Sequence, residues 1–241
     1  MRGADLQRRE PELRQDWQMG ISKIRNFIEY LLRAKYVYPT SSTRRYGVLL
    51  DLVYKHKIKT IMEIGVYSGR RAMEMINTAK IRYSPEEITY LGFDLFEEMN
   101  DEILKNQLSK RPDTLDSLQT KIGKTGATIH LFKGFSEETL PKVAAQKNRY
   151  PEIGLVFVDG GHAVETIMSD WKNVRKIITE KTIVVFDDYY LERPDLTEKF
   201  GCNKVIDSLG DEYNIGFFDN IDSFDQENGK LNIRMVMVSL K

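Results

Sequence analysis

The sequence predicts a doubly wound α/β fold, a mainly parallel sheet with helices on both faces. Three observations carry this. Short β-type runs alternate with helical stretches through the middle of the chain. Glycines and acidic residues gather where those runs end, the edge at which such a sheet binds ligands. The last third then switches to two strands separated by a polar stretch too short for a crossover helix. With 241 residues, 41% apolar and 30% charged, the chain is long enough to bury one sizeable core.

Taken in order, Ile24, Phe27, Ile28 and Leu31 fall at i, i+3, i+4 and i+7, which predicts an amphipathic helix over 21–32. The run Pro-Thr-Ser-Ser-Thr at 39–43 breaks that pattern, and a second apolar-periodic stretch at 47–54 leads into the first strand. Strands are expected at 60–64, 89–93, 128–132, 154–158 and 182–186. Between the last two, Ile167, Trp171, Val174 and Ile178 share one helical face, which makes Trp171 a core residue. Strands at 213–218 and 233–240 flank the polar stretch 219–230, so the chain closes on an antiparallel hairpin and the sheet has seven strands. Residues 1–44 are expected to form a helical extension or cap, and 45–241 the ligand-binding domain.

Lysine and arginine total 36, as do aspartate and glutamate, so no global field draws the chain to nucleic acid or an anionic membrane. Small neutral or weakly charged partners are expected. One cysteine, Cys202, excludes an internal disulfide framework and a multi-cysteine zinc site, and reads as a small core residue. The first twenty residues carry charges throughout and lack a secretory apolar stretch, and no apolar run approaches the roughly 18 residues of a membrane span. A cytoplasmic location is expected. The amphipathic N-terminal helices suit either a cap over the site or pairing between subunits in a homo-oligomer.

The first strand ends in Glu63-Ile64-Gly65-Val66-Tyr67-Ser68-Gly69. Gly65 and Gly69 allow a sharp turn and close approach of a ligand at a helix start, and Glu63 places a carboxylate beside it. A dinucleotide fingerprint would need glycine where Tyr67 and Arg70 stand, and the carboxylate repels a pyrophosphate but attracts an amino-acid ammonium. That weakens the rival reading of a nicotinamide-dependent oxidoreductase. Asp94, closing the second strand, can accept both hydroxyls of a ribose. Gly134-Phe135-Ser136, after the third strand, offers a close-approach glycine, an aromatic edge and a hydroxyl where an adenine could lie.

At these residues the chain resembles the class I S-adenosylmethionine (SAM)-dependent methyltransferases. Their motif of an acidic residue, x, Gly, x, x, x, Gly is matched by Glu63, Gly65 and Gly69, and the acid closing their second strand by Asp94. The resemblance spans roughly 45–241 and implies a Rossmann-like sheet of order 3-2-1-4-5-7-6, with those positions holding the methionine portion and ribose of SAM.

The fourth strand ends in Asp159-Gly160-Gly161-His162 and the fifth in Asp187-Asp188-Tyr189-Tyr190. Adjacent strand ends lie about 5 Å apart, so Asp159, Asp187 and Asp188 can share a hard divalent cation such as Mg²⁺. A metal beside an acceptor hydroxyl lowers its pKa, and His162 is placed to take the proton as base. Asp159-x-x-His162 followed by Asp187-Asp188 is similar to the metal-dependent O-methyltransferases, in particular the branch modifying sugars of macrolide and aminocoumarin antibiotics. The resemblance implies magnesium at the strand-four and strand-five carboxylates and methyl transfer to a hydroxylated small molecule. Residues 189–200, with Tyr189, Tyr190, Arg193 and Pro194, are the expected acceptor loop. A non-catalytic SAM-binding protein and a metal-free methyltransferase with a purely structural acidic cluster are the other rivals.

Overall fold

In the computed structural model, residues 3–38, 40, 43–107, 109–226 and 229–241 are described. Helix α1 (Gly3–Leu32) runs into a π-helical turn (Arg33–Val37), and a short 3₁₀ turn (Arg44–Tyr46) precedes α2 (Gly47–Lys55). Then come β1 (Thr60–Ile64), α3 (Arg70–Ala79), β2 (Thr89–Asp94), α4 (Asp101–Gln107), α5 (Leu115–Gly123), β3 (Thr128–Lys133) and α6 (Ser136–Ala145). The second half holds β4 (Leu155–Val158), α7 (Val164–Val174), β5 (Ile183–Leu191), α8 (Pro194–Thr197), α9 (Asn203–Asp207), β6 (Tyr213–Phe217), β7 (Asp222–Gln226) and β8 (Gly229–Leu240).

The sheet runs β3-β2-β1-β4-β5-β8-β6, with β7 pairing on β8. β1 to β5 are parallel, while β8 is antiparallel to β5, β6 and β7. This is the expected doubly wound architecture, with eight strands in place of seven. The additional one, β7, lies inside the polar stretch 219–230. Its sequence, Asp-Ser-Phe-Asp-Gln, is hydrophilic because only one edge of it pairs, so it needs ladder bonds more than apolar burial. α1 likewise begins well before residue 21, because 3–20 is rich in Leu, Gln, Arg and Glu, strong helix formers without apolar periodicity. The expected break at 39–43 falls partly outside the described residues.

Two cores sandwich the sheet. On one face Leu49 and Val53 of α2, Met75 and Ile76 of α3, and Leu118 and Ile122 of α5 pack on Ile61, Tyr90, Phe157 and Val185. On the other, Leu140 of α6, Ile167 and Trp171 of α7, and Cys202, Val205 and Ile206 beside and in α9 pack on Met62, Phe93, Val156 and Phe186. Trp171 and Cys202 are core residues, as expected. No helix among the described residues is long and apolar enough to cross a membrane.

α1 docks through one face, where Phe27, Tyr30 and Leu31 join the first core. Its π-helical end is fixed by a buried carboxylate: Glu74 of α3 accepts from Arg33 at 2.8 Å, Arg70 at 3.0 Å, Arg71 at 2.6 Å and the Tyr38 hydroxyl. The N-terminal extension is thereby tied to the helix that starts just after Gly69.

Gly65 turns the chain out of β1 at φ 94°, and an added Cβ would lie 1.9 Å from the Asp159 carbonyl oxygen. Gly65→Ala combines left-handed strain with backbone overlap and should cost about 3 kcal/mol or more. For a chain of this size that lowers Tm by roughly 6–12 °C, measurable by calorimetry; a Tm unchanged in Gly65→Ala would contradict the close approach.

Candidate active site

The residues expected to hold the donor meet at one edge of the sheet. Gly65, Tyr67 and Gly69 all take positive φ as the chain turns into α3. A side chain at Gly69 would press on Leu118 of α5 at 2.8 Å, which explains a glycine there. The left-handed path carries the Tyr67 amide to Asp94 Oδ2, at 2.8 Å, while the Leu95 amide donates to Oδ1 at 2.7 Å. Asp94 is thus clamped against the turn by backbone amides, Phe96 and Val66 adding to Tyr67 and Leu95, yet burial outweighs them and holds its pKa above the ordinary value. Lys121 donates to the Ser68 carbonyl at 2.5 Å and fixes the far side of the loop. The Tyr67 ring is half-exposed, with the Lys110 ammonium 5.7 Å from its centre.

Glu63 is buried beneath the turn, accepting from the Tyr90 hydroxyl. Burial lifts its pKa to about 8, with the Tyr90 bond and the Arg71 charge opposing and Asp94 adding to the rise. Beyond β3, Gly134 (φ 122°) donates its amide to the Asp94 carbonyl at 3.1 Å, Phe135 is half-exposed and Ser136 opens α6. These residues therefore adjoin Asp94. Asp170 of α7 is completely buried nearby, neither oxygen has a hydrogen-bond partner of good geometry among the described residues, and burial lifts its pKa to about 7, offset only in part by Ser136.

The residues expected to be catalytic gather at the ends of β4 and β5, against the turn after β1. The Asp159 amide donates to the Ile64 carbonyl at 2.8 Å. His162 Nδ1 lies 3.0 Å from Asp188 Oδ2. Burial alone would push the His162 pKa down, but Asp188 and then Asp187 outweigh it and hold it above the ordinary value. Asp159, His162 and Asp188 form a set whose ligand atoms all lie within 4.8 Å of one another.

Asp187, expected beside them as a metal ligand, is engaged elsewhere. Buried Arg45 grips it bidentately, Nε to Oδ1 at 2.6 Å and Nη2 to Oδ2 at 2.9 Å. The same guanidinium donates to Asp222 Oδ2 of β7 at 2.5 Å and sits 3.8 Å from Asp188. Tyr46 donates to Asp187 Oδ2 at 2.9 Å, and its hydroxyl lies 3.4 Å from Asp159 Oδ2. The neighbouring acids are thus split. Burial and the charges of Asp187 and Asp188 drive Asp159 well above the usual carboxylate range, whereas for Asp187 burial is outweighed by Arg45, which holds it below.

Arg45, Tyr46 and Asp222 were not legible as site residues. Arg45 stands 142 residues from Asp187 and 177 from Asp222 in the chain. The only sequence signal was indirect, since three acids at one rim require a counter-charge.

The expected acceptor loop is partly strand. β5 continues to Leu191 through a register irregularity between Phe186 and Tyr189, where Asp188 takes φ 56°. Tyr190 is consequently buried in a small cluster with Leu231 and Ile233, which removes it from contact with an acceptor. Tyr189 is half-buried, edge-on to Phe217 at 5.1 Å. The segment after it does reach the rim: Gly201 donates to the His162 carbonyl at 2.9 Å and Val164 to the Lys199 carbonyl at 2.9 Å.

A sheet of this order, with a glycine turn after β1, an acid closing β2 and an acidic rim beyond β4 and β5, defines a SAM-dependent methyltransferase of class I. A family model described as a methyltransferase domain matches residues 62–189, more than half of the chain, and the chain belongs to this family. Arg45, Tyr46 and Asp222 lie outside that span. No curated protein sequence matches the chain.

Among solved structures, the O-methyltransferase TomG of Streptomyces achromogenes, involved in tomaymycin synthesis and bound to SAM, is 12% identical and has a TM-score of 0.55, over 91% of this chain and 89% of its own. The O-methyltransferase of Bacillus cereus with SAH is 12% identical over 91% and 90%, TM-score 0.51. Precorrin-6y C5,15-methyltransferase of Geobacter metallireducens is 13% identical over 83% and 89%, TM-score 0.52. The fold is shared by enzymes with different acceptors, so the acceptor must be argued from the site.

Two outcomes follow from these electrostatics. Arg45→Ala strands two buried carboxylates and should cost about 3–5 kcal/mol, read as a fall in denaturant midpoint at unchanged slope. Asp170 binds its proton more tightly folded than unfolded. Its ionisation therefore removes stability as pH rises from the unfolded pKa near 4 to about 7, by on the order of 4 kcal/mol. Urea titrations at pH 4 to 8 should show that decline, and Asp170→Asn should flatten it; equal slopes in both proteins would refute the assignment.

Proposed function

We propose that this protein is a Mg²⁺-dependent O-methyltransferase that carries the methyl group of SAM to a hydroxyl of a small molecule. The observation that carries the reading is the abutment of the two half-sites, with Gly65 of the donor turn packed on Asp159 of the acidic rim so tightly that no Cβ fits between them. A donor held by the turn has the rim beside it.

The residues fit both a SAM donor and a divalent cation. On the donor side, Glu63 is a buried carboxyl whose ionised form an ammonium would stabilise, Asp94 closes β2 where the ribose hydroxyls would lie, and Gly134, Phe135 and Ser136 offer an edge for adenine. The Tyr67-Ser68 backbone lines the same turn. On the rim, four carboxylates (Asp159, Asp187, Asp188, Asp222) face one guanidinium and at most one imidazolium, so full ionisation leaves at least two negative charges, which a divalent cation would offset. Asp159 and Asp188 would hold it, with water completing a hard, partly hydrated shell; Asp187 stays with Arg45.

When bound, SAM supplies an electrophilic methyl on a sulfonium, and the cation lowers the pKa of a neighbouring hydroxyl. The chain does the rest by position and proton transfer. His162 donates from Nδ1 to Asp188, which fixes its tautomer and leaves Nε2 to accept the acceptor's proton. Tyr46, donating to Asp187 beside Asp159, orders the rim. Residues 192–201, hydrogen-bonded to the His162 loop, form the acceptor wall together with Tyr189. Residues 45–241 hold every group in this reading, with 1–44 as a helical extension. Balanced charge and a single buried cysteine favour a small acceptor and a cytoplasmic setting.

Thermal unfolding with S-adenosylhomocysteine tests the donor site. At about 100 times its Kd the ligand adds roughly 2.7 kcal/mol and raises Tm by roughly 5–10 °C, whereas a shift with NADH alone would sink the reading. Asp159→Ala should abolish metal-dependent turnover while leaving S-adenosylhomocysteine affinity nearly unchanged in calorimetry. His162→Ala should lower kcat by about 10²–10⁴-fold with Mg²⁺ still bound. EDTA should stop turnover and Mg²⁺ restore it; activity indifferent to EDTA would remove the metal.

A further inference from the structure

α1 carries two apolar faces, and the fold uses one. Phe27, Tyr30 and Leu31 are packed into the core. Trp17, Ile21, Ile24, Ile28 and Leu32 are between 51% and 76% exposed and fall at i, i+4, i+7, i+11 and i+15, a continuous stripe along about four turns. A helix that serves a single partner needs only one such stripe. No described residue of the chain covers the second.

We infer that this stripe is the interface of a homodimer, in which α1 packs antiparallel against α1 of a second copy about a twofold axis near Ile24. The stripe is self-complementary under that operation. Reversing it places Trp17 opposite Leu32 and Ile21 opposite Ile28, with the axis between positions 24 and 25 so that Ile24 lies beside its own copy and every large apolar side chain of the stripe meets another, as an isologous contact requires. The area is adequate. Five such side chains present on the order of 500 Å² per chain, at the upper end of what a monomer exposes. Two copies together bring about 1,000 Å² of it into contact, the size at which a specific interface begins. A membrane surface is the weaker occupant. The chain balances 36 basic against 36 acidic residues, and the flank of the stripe is mixed in charge, with Glu29 and its partner Arg33 beside Arg25, where an anionic lipid surface favours a uniformly basic face.

Sedimentation velocity at 1–100 μM should give about twice the 28.0 kDa chain mass for the wild type. Ile24→Glu/Ile28→Glu, which changes only exposed positions, should sediment as the 28.0 kDa monomer with Tm and S-adenosylhomocysteine binding retained. Ile24→Cys should form a disulfide-linked dimer on oxidation, since the sole native thiol, Cys202, is buried. A wild type monomeric at 100 μM, or a double-glutamate variant that remains dimeric, overturns the inference. So does a monomer that floats with phosphatidylserine vesicles, which would assign the stripe to a lipid surface.

Discussion

A guanidinium buried at the end of a sheet cannot shed its charge, so the chain must surround it with carboxylates or fail to bury it. Arg45 meets that demand with Asp187 from β5 and Asp222 from β7, with Asp188 close by. Three remote segments are thereby brought to one point: the turn before α2, the fifth strand and the terminal hairpin. Such a pair adds little net stability relative to apolar residues of the same shape. Its effect is to fix which carboxylate is neutralised and which is left available.

That choice sets the chemistry of the rim. Asp187 and Asp188 are adjacent in sequence, and the strand irregularity at Asp188, with its positive φ, sends their side chains to different partners. Asp187 is given to Arg45 and Tyr46, while Asp188 is given to His162. Asp159, desolvated beside Asp187 and Asp188, is driven well above the usual carboxylate range and holds its proton most readily of the group. Acids with pKa values driven apart within one cleft are the usual mark of divided roles.

A second buried hub, Glu74 with Arg33, Arg70, Arg71 and Tyr38, connects this edge to the N-terminal extension. Arg71 also lies over the Tyr46 ring at 4.0 Å from its centre. The two hubs are therefore in contact through one stacked pair. The π-helical turn after α1, α3 just beyond the β1 turn and the acidic rim share a single charge network, which ties a helix outside the sheet to the edge where the rim lies.

The sequence by itself determined the parallel strands, their alternation with helices and the placing of Glu63, Gly65, Gly69, Asp94, Asp159, His162, Asp187 and Asp188 at one edge. Those features are written in local periodicity and in which residue ends a strand, and parallel crossovers carry every strand end to the same side. Tertiary structure decided the partners. The choice of Asp187 for Arg45, the burial of Tyr190, the recruitment of Asp222 and the pairing of polar β7 depend on groups that meet only after the sheet closes, across separations on which local pattern is silent. Electrostatic pairing acts through space and leaves no period in the chain, so the residues that hold the rim in order became visible only once the fold had brought them together.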